Sequence, residues 1–317
     1  MSSVSSTILR GHKDSVESVY QSEIGSLFSS SCDGTVRMWD VRVKNSSIRL
    51  FKIPSEIDGD VGLCKDSNSL LCVSRGSSLF GYDLRFSSSI IVPVPDFSFS
   101  NLDSEDDIND FIFDGRDSVL VPSDSGRITV LDIPTFTSTS CMLLHDNIAS
   151  VVRPLPSQYV SGGYDCNLVT VPSDAKSEVS KRVFPISTLL PQEESTPGQT
   201  LNPPFVTALE YSSQQTQLAV GAGDGSVVVL DVRKGKVNWR QTAWGGSSIH
   251  SAATAAIAWD EDSVWSVGND CVLMRMNETR ISVRMVLESK PNSVALVQNG
   301  SVAVAGISND ISVYRFV

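Results

Sequence analysis

SLFSSSCDGTVRMWDVR, residues 26–42, reads as two short strands joined by a tight turn. Leu27 to Ser31 is apolar and small, and Thr35 to Trp39 alternates in the two-residue period of a half-buried strand. Asp33-Gly34 between them is a turn dipeptide, because glycine accepts the positive φ that short hairpin loops require. A lone hairpin is marginal in water. The segment therefore predicts neighbours, and the informative search is for copies of itself.

Copies recur along the chain. They are LLCVSRGSSLFGYDLR ending at Arg85, SVLVPSDSGRITVLDI at 118–133, YVSGGYDCNLVTVP at 159–172 and QLAVGAGDGSVVVLDVR at 217–233. Two weaker ones follow, SVWSVGNDCVLMRMN at 263–277 and SVAVAGISNDISVYRF at 301–316. A period of roughly 40 to 45 residues is what four short strands and their turns occupy in one propeller blade. Before each hairpin stands another apolar alternation, such as SVESVY, DINDFIF, FVTALEYS or TAAIAW, predicted as an inner strand. After it comes a more polar outer one, such as IRLFKI, SIIVPVP, TSCMLL or RISVRMVL. The fold class that follows is all-β, a seven-bladed β-propeller in a single domain spanning 1–317. Its blades are expected near 11–53, 54–95, 96–144, 145–185, 186–240, 241–287 and 288–317. The last copy ends without an outer strand of its own, and STILR near the start, residues 5–9, is predicted to supply it. Such pairing closes the ring and removes two exposed edges. STLLPQEESTPGQTLNPP at 187–204 and SNLDSEDDIND at 100–110 are predicted loops.

Gly11-His12, Ser31, Asp33, Trp39 and Asp40 together resemble a WD repeat in full form. In that family His12, Ser31, Asp33 and Trp39 would form a hydrogen-bonded tetrad through the blade, each polar group partnered where water is scarce. The other copies depart from the pattern: the Trp position is Tyr82, Leu131, Val171, Leu230, Met276 and Tyr314, and the turn Asp is clear only as Asp165, Asp224 and Asp270. Pro197-Gly198-Gln199, Leu201-Asn202-Pro203, the hairpin GAGDGSVVVLDV and Ile311 to Tyr314 are similar to one subfamily within the WD-repeat proteins.

Composition narrows the function class. Thirty-six acidic and 25 basic residues give a net charge of −11, which argues against a footprint for nucleic acid or anionic membrane and for protein partners. The six cysteines stand singly without a CxxC pair, and are expected to be reduced, buried small hydrophobes with no metal. No apolar run approaches the roughly 20 residues that span a bilayer, and the start lacks a signal core. The expectation is a monomer in the cytoplasm or nucleus.

Leu27 to Arg42 also resembles the motif by which WD-repeat substrate receptors dock to the adaptor of cullin-4 RING ubiquitin ligases. That resemblance implies Asp40 bracing Arg42, with Asp83 and Arg85, and Asp231 and Arg233, as repeats of the arrangement. An oriented Arg makes planar bidentate contacts across an interface. The plainer reading is that Asp-x-Arg ties off a turn. His12, His145 and His250 each precede an inner strand and lack ligand spacing. No nucleophile elbow, phosphate loop or metalloprotease helix is present, and Gly221 to Gly225 lies in a hairpin with no helix after it. No enzyme, no catalytic residue and no cofactor is therefore expected. Glu105-Asp106-Asp107 and Glu193-Glu194 are expected to face water, where they could also draw a basic tail to the mouth of the channel. Most of the Trp, among them Trp239, Trp244, Trp259 and Trp265, are expected in the core; the alternative for Trp244, beside Gly245-Gly246 in a predicted loop, is an exposed binding anchor. The two functional expectations are a non-catalytic scaffold that recruits a substrate to a cullin-4 ligase, and a chromatin or assembly scaffold binding a short basic peptide.

Overall fold

The computed structural model describes all residues except 1–3, 23–24, 43–46, 57–58, 68, 86–89, 101–105, 176, 191–201, 234–235, 247–248, 298–299 and 317, with only the backbone of 236, 238–243 and 245–246. Among the described residues seven sheets account for the strands, six antiparallel ones of four strands and one of five that includes a parallel pair. The seven-bladed all-β class follows from them. Contacts divide the chain into two compact units, one of residues 1–110 with 289–317 and one of 111–288.

The first unit holds three blades. The first blade runs Val16–Gln21, Leu27–Ser31, Thr35–Trp39 and Ser47–Lys52, with the hairpin registering Leu27 opposite Trp39 and Ser31 opposite Thr35. Gly34 takes φ +76 in the turn, a conformation its missing Cβ permits. In the last blade, Pro291–Val297, Ser301–Gly306 and Asp310–Phe316 are joined by Val4–Arg10. That strand runs antiparallel to the third, Val4 opposite Phe316 and Arg10 opposite Asp310. Leu9 is the buried residue of this outer strand, packed with Val16, Trp39, Val297 and Ile311.

The second blade departs from the strand assignment read in the sequence. Its outer strand is Phe97–Ser100, so the boundary at 95 falls short. Ile91-Val92 instead adds a fifth strand to the first blade, parallel to its outer strand, with Leu50 opposite Ile91. Pro93 and Pro95 explain the change: neither has an N–H to donate, so the segment cannot ladder beyond two residues. Neighbouring first and second blades are stitched by polar bonds as well as by packing. Cys64 N donates to Ser18 Oγ at 3.0 Å, Ser30 Oγ to the Gly62 carbonyl, and Tyr82 Oη to the Lys52 carbonyl. Phe28, Val36, Phe51, Leu71 and Tyr82 form the shared apolar cluster.

The second unit holds four blades, beginning at Ile112–Phe113, Ala149–Leu155, Val206–Tyr211 and Thr254–Asp260. Only Ile112-Phe113 of the expected DINDFIF strand joins a sheet. Asp110, just before it, is buried and bonds Lys65 Nζ at 2.7 Å. The boundary at 240 falls inside a strand, Lys236–Gly246. In both units most inner strands carry a register shift near their start, between Val16 and Ser18, Ala149 and Val151, Val206 and Ala208, Thr254 and Ala256, and Pro291 and Ser293. A bulge bends and twists a strand, so the repeat extends to a feature that residue type does not announce.

Candidate docking surface

In the first blade the pleat sets Leu27, Ser29 and Ser31 on one side of their strand. The histidine just before the inner strand closes a polar chain there: His12 Nδ1 lies 3.0 Å from Asp33 Oδ2 and His12 Nε2 2.7 Å from Ser29 Oγ. Trp39 Nε1 donates to the same Ser29 Oγ at 2.7 Å. The tetrad serine is thus Ser29 and not Ser31. Ser31 sits at the turn, where its Oγ accepts from Asp33 N at 3.1 Å and donates to the Asp14 carbonyl at 3.2 Å. An ionised Asp33 can only accept, so the Nδ1 of His12 carries the proton and Nε2 accepts from the Ser29 hydroxyl, which leaves that oxygen to receive the indole N–H. Burial works against the Asp33 charge, but hydrogen bonds from His12, Thr35 and Lys13 N prevail and hold its carboxyl well below the usual range.

Two further blades contain the chain without the tryptophan. His145 bridges Asp165 at 3.0 Å and Ser161 at 2.9 Å, and His250 bridges Asp270 and Ser266 at the same distances. The signal that finds the right serine was available: it precedes the turn Asp by four residues in all three blades, as in Ser29/Asp33, Ser161/Asp165 and Ser266/Asp270. In each of the three blades the His, Asp and Ser side chains thus satisfy one another.

The Asp-x-Arg turns stand at the end of third strands, outside the tetrads. Asp40 takes a fork from Arg42, Nε to Oδ1 at 2.8 Å and Nη2 to Oδ2 at 2.7 Å, and also accepts the Arg42 N–H at 3.0 Å. Asp83 holds Arg85 in the same way, Nε to Oδ1 at 2.9 Å and Nη2 to Oδ2 at 2.5 Å. Both guanidiniums face water, 82% and 66% exposed, although Asp83 is itself buried. The Arg42 hydrogen bonds bring the Asp40 carboxyl down to about 2, and Arg85 lowers Asp83 likewise. Each carboxylate raises its arginine in turn. Arg233 is held more loosely, its Nη2 3.5 Å from Asp231 Oδ2 in the second unit.

The bracing has a chemical consequence. A free Arg loses side-chain entropy on docking, and one already clamped through Nε and one amino group loses less. Arg42 also lines a cleft of about 300 Å³ with Arg315, Ser5, Thr7 and Ser301 above Leu9 and Val313.

Other expected site features land differently. Trp244 lies within strand Lys236–Gly246, half-buried, with its ring 6.1 Å from Trp259 in an edge-on contact, so it is no exposed loop anchor. Asp106 is buried rather than solvated, whereas Glu105, Glu193-Glu194 and the side chain of Trp239 lie outside the described residues, as does most of the 187–204 loop. Of the cysteines only Cys64 and Cys72 are buried, while Cys32 and Cys141 are exposed and all six are free. Among the described residues no three His, Cys, Asp or Glu side chains are grouped to hold a metal ion.

Comparison with known proteins agrees with this geometry. The family described as WD domain, G-beta repeat matches residues 3–40, the segment containing the complete tetrad. WD repeat-containing protein 53 homolog from Dictyostelium discoideum is 27% identical over 248 residues, 71% of this chain and 64% of that protein. Striatin-3 from Homo sapiens is 29% identical over 183 residues, 55% of this chain and 22% of its own length. The chain thus spans less than two thirds of either curated relative. The solved WD40 β-propeller domain of Doa1 superposes with a TM-score of 0.74 at 15% identity, covering 99% of this chain and 97% of that one. Seven sheets, a G-beta repeat match over residues 3–40 and that structural likeness show that this chain has the β-propeller fold of WD40 domains.

Proposed function

We propose that this propeller is a non-catalytic docking scaffold that binds the adaptor of a cullin-4 RING ubiquitin ligase and presents a second protein as substrate, in the cytoplasm or nucleus. The observation that carries the reading is the pair of exposed, bidentately braced arginines, Arg42 and Arg85, at equivalent strand ends of two neighbouring blades. Turn closure alone needs the Asp to accept backbone N–H groups, as Asp40 and Asp83 do. It does not need a long cation held outward in water. Exposed ion pairs contribute little to stability, so folding gains little from the guanidiniums.

The test is recovery of the adaptor from cell extract by the tagged protein, comparing wild type with Arg42→Ala plus Arg85→Ala and with the corresponding Lys pair. Loss of at least ten-fold in the Ala pair, only partly restored by Lys, is expected because an ammonium cannot reproduce the planar fork. Equal recovery by the Ala pair, with an unchanged unfolding midpoint, refutes the ligase reading. It would leave the general scaffold role without an assigned face.

A further inference from the structure

The fourth blade lacks the Asp-x-Arg turn and opens a cleft at the same strand end. Its third strand, Asn167–Pro172, pairs with the outer strand only as far as Thr170, opposite Arg182. Beyond that point Pro172 has no N–H to extend the ladder. The chain loops out through a single 3-10 turn at Glu178–Ser180 before returning. What this leaves is a cleft of about 530 Å³, floored by Thr170 to Pro172 and Gln158 and walled by Val179, Lys181 and Arg182 and by Val237 of the fifth blade.

Three features of the cleft call for the same kind of ligand. The Nε2 of Gln158 is buried and finds no hydrogen-bond acceptor among the described residues, which is unfavourable until an acceptor arrives. Lys181 and Arg182 line the cleft and, among the described residues, no carboxylate does, although the chain as a whole carries −11. Lys181 Nζ already donates to the carbonyls of Leu143 and Leu144, each at 3.3 Å, which fixes the ammonium in place without neutralising it. At the lip Val179 is 90% exposed, an apolar side chain that nothing in the described structure covers.

We infer that this cleft is a second protein-binding site, taking a short segment of a partner in which an Asp or Glu lies next to an apolar residue. The carboxylate accepts from Gln158 Nε2 and neutralises Arg182, and the neighbouring apolar side chain covers Val179 and Val237. A basic segment is repelled by the two cations. The cleft shares no residue with the Arg42 and Arg85 turns, so the inference does not depend on the ligase reading.

A library of random heptapeptides displayed on phage, selected on the immobilised full chain, tests the proposal. In parallel it is selected on Arg182→Glu and on Gln158→Leu, both checked for an unchanged unfolding midpoint. The expected outcome is enrichment of peptides with an acid beside an apolar residue on wild type, reduced at least ten-fold on Arg182→Glu and weakened on Gln158→Leu. The Arg42→Ala plus Arg85→Ala protein retains it. Absence of enrichment, enrichment without acidic bias, or acidic enrichment that survives Arg182→Glu overturns the assignment.

Discussion

Ser29→Ala tests how the first blade is held. Ser29 Oγ lies 2.7 Å from both His12 Nε2 and Trp39 Nε1, and all three residues are buried. Alanine keeps the Cβ and removes the one hydroxyl shared by the two rings, so an indole N–H and an imidazole nitrogen lose their partner where water does not reach. Each such orphan costs about 1–3 kcal/mol, which predicts a total of about 2–4 kcal/mol after partial relaxation. Ser31→Ala is the control: its hydroxyl makes two bonds beside the turn, and about 0.5–1.5 kcal/mol is expected. Equilibrium urea unfolding gives both numbers from the shift in midpoint at constant slope. A cycle with Trp39→Phe, which has no N–H to strand, should make the double variant cheaper than the sum of the singles by about 1 kcal/mol. Equal costs for Ser29→Ala and Ser31→Ala, or strict additivity in the cycle, would show that the shared hydroxyl does not join these rings.

The terminal strand offers a packing test: Leu9→Ala should cost about 2–5 kcal/mol by urea unfolding, because Leu9 is 1% exposed against Trp39 and Ile311, while Ile8→Ala on the exposed side should fall near zero. Acid sensitivity provides the other. Burial lowers the His250 imidazole below its ordinary 6.5 although Asp270 pulls the other way. A depressed folded value means the stabilisation is complete above about 6.5 and is lost as pH falls through the folded value. Urea midpoints should therefore drop between pH 7 and 5.5, with a shallower slope in His250→Asn. Titration of the His250 ring above 6.5 by NMR would reverse the sign and defeat the argument.

The hairpins were legible because their chemistry is local. Asp33-Gly34 and the alternation through Trp39 specify strand, turn and strand without reference to any other part of the chain. Even the copies at Asp165 and Asp270 place a turn correctly, although Cys166 and Cys271 occupy its left-handed position at φ +61 and +60 where Gly34 stands in the first blade. Outer strands were less legible. SIIVPVP and FSFS are both apolar enough to pair, and what separates them is which backbone N–H groups exist to be donated, a matter settled by Pro93 and Pro95. The serine was misplaced for a different reason. Ser29 and Ser31 share a face, so periodicity cannot choose between them; the reach of the Trp39 indole across the ladder does. The braced arginines were readable as Asp-x-Arg, but that Arg85 would match Arg42 closely while Arg233 would sit loose depends on the carboxylate's surroundings. The cleft of the fourth blade left no motif, because it is made by a ladder that stops.

The pairing of Val4–Arg10 with Asp310–Phe316 has a temporal side. Arg10 and its partner Asp310 are 300 residues apart, so at roughly 5–20 residues per second a ribosome needs about 15 to 60 s to make the second after the first. Through that interval the early strand, with Leu9 on it, waits in the crowded cell with no edge to join. The edge that Val4–Arg10 needs is therefore among the late strands to be made, and the burial of Leu9 has to wait for Ile311.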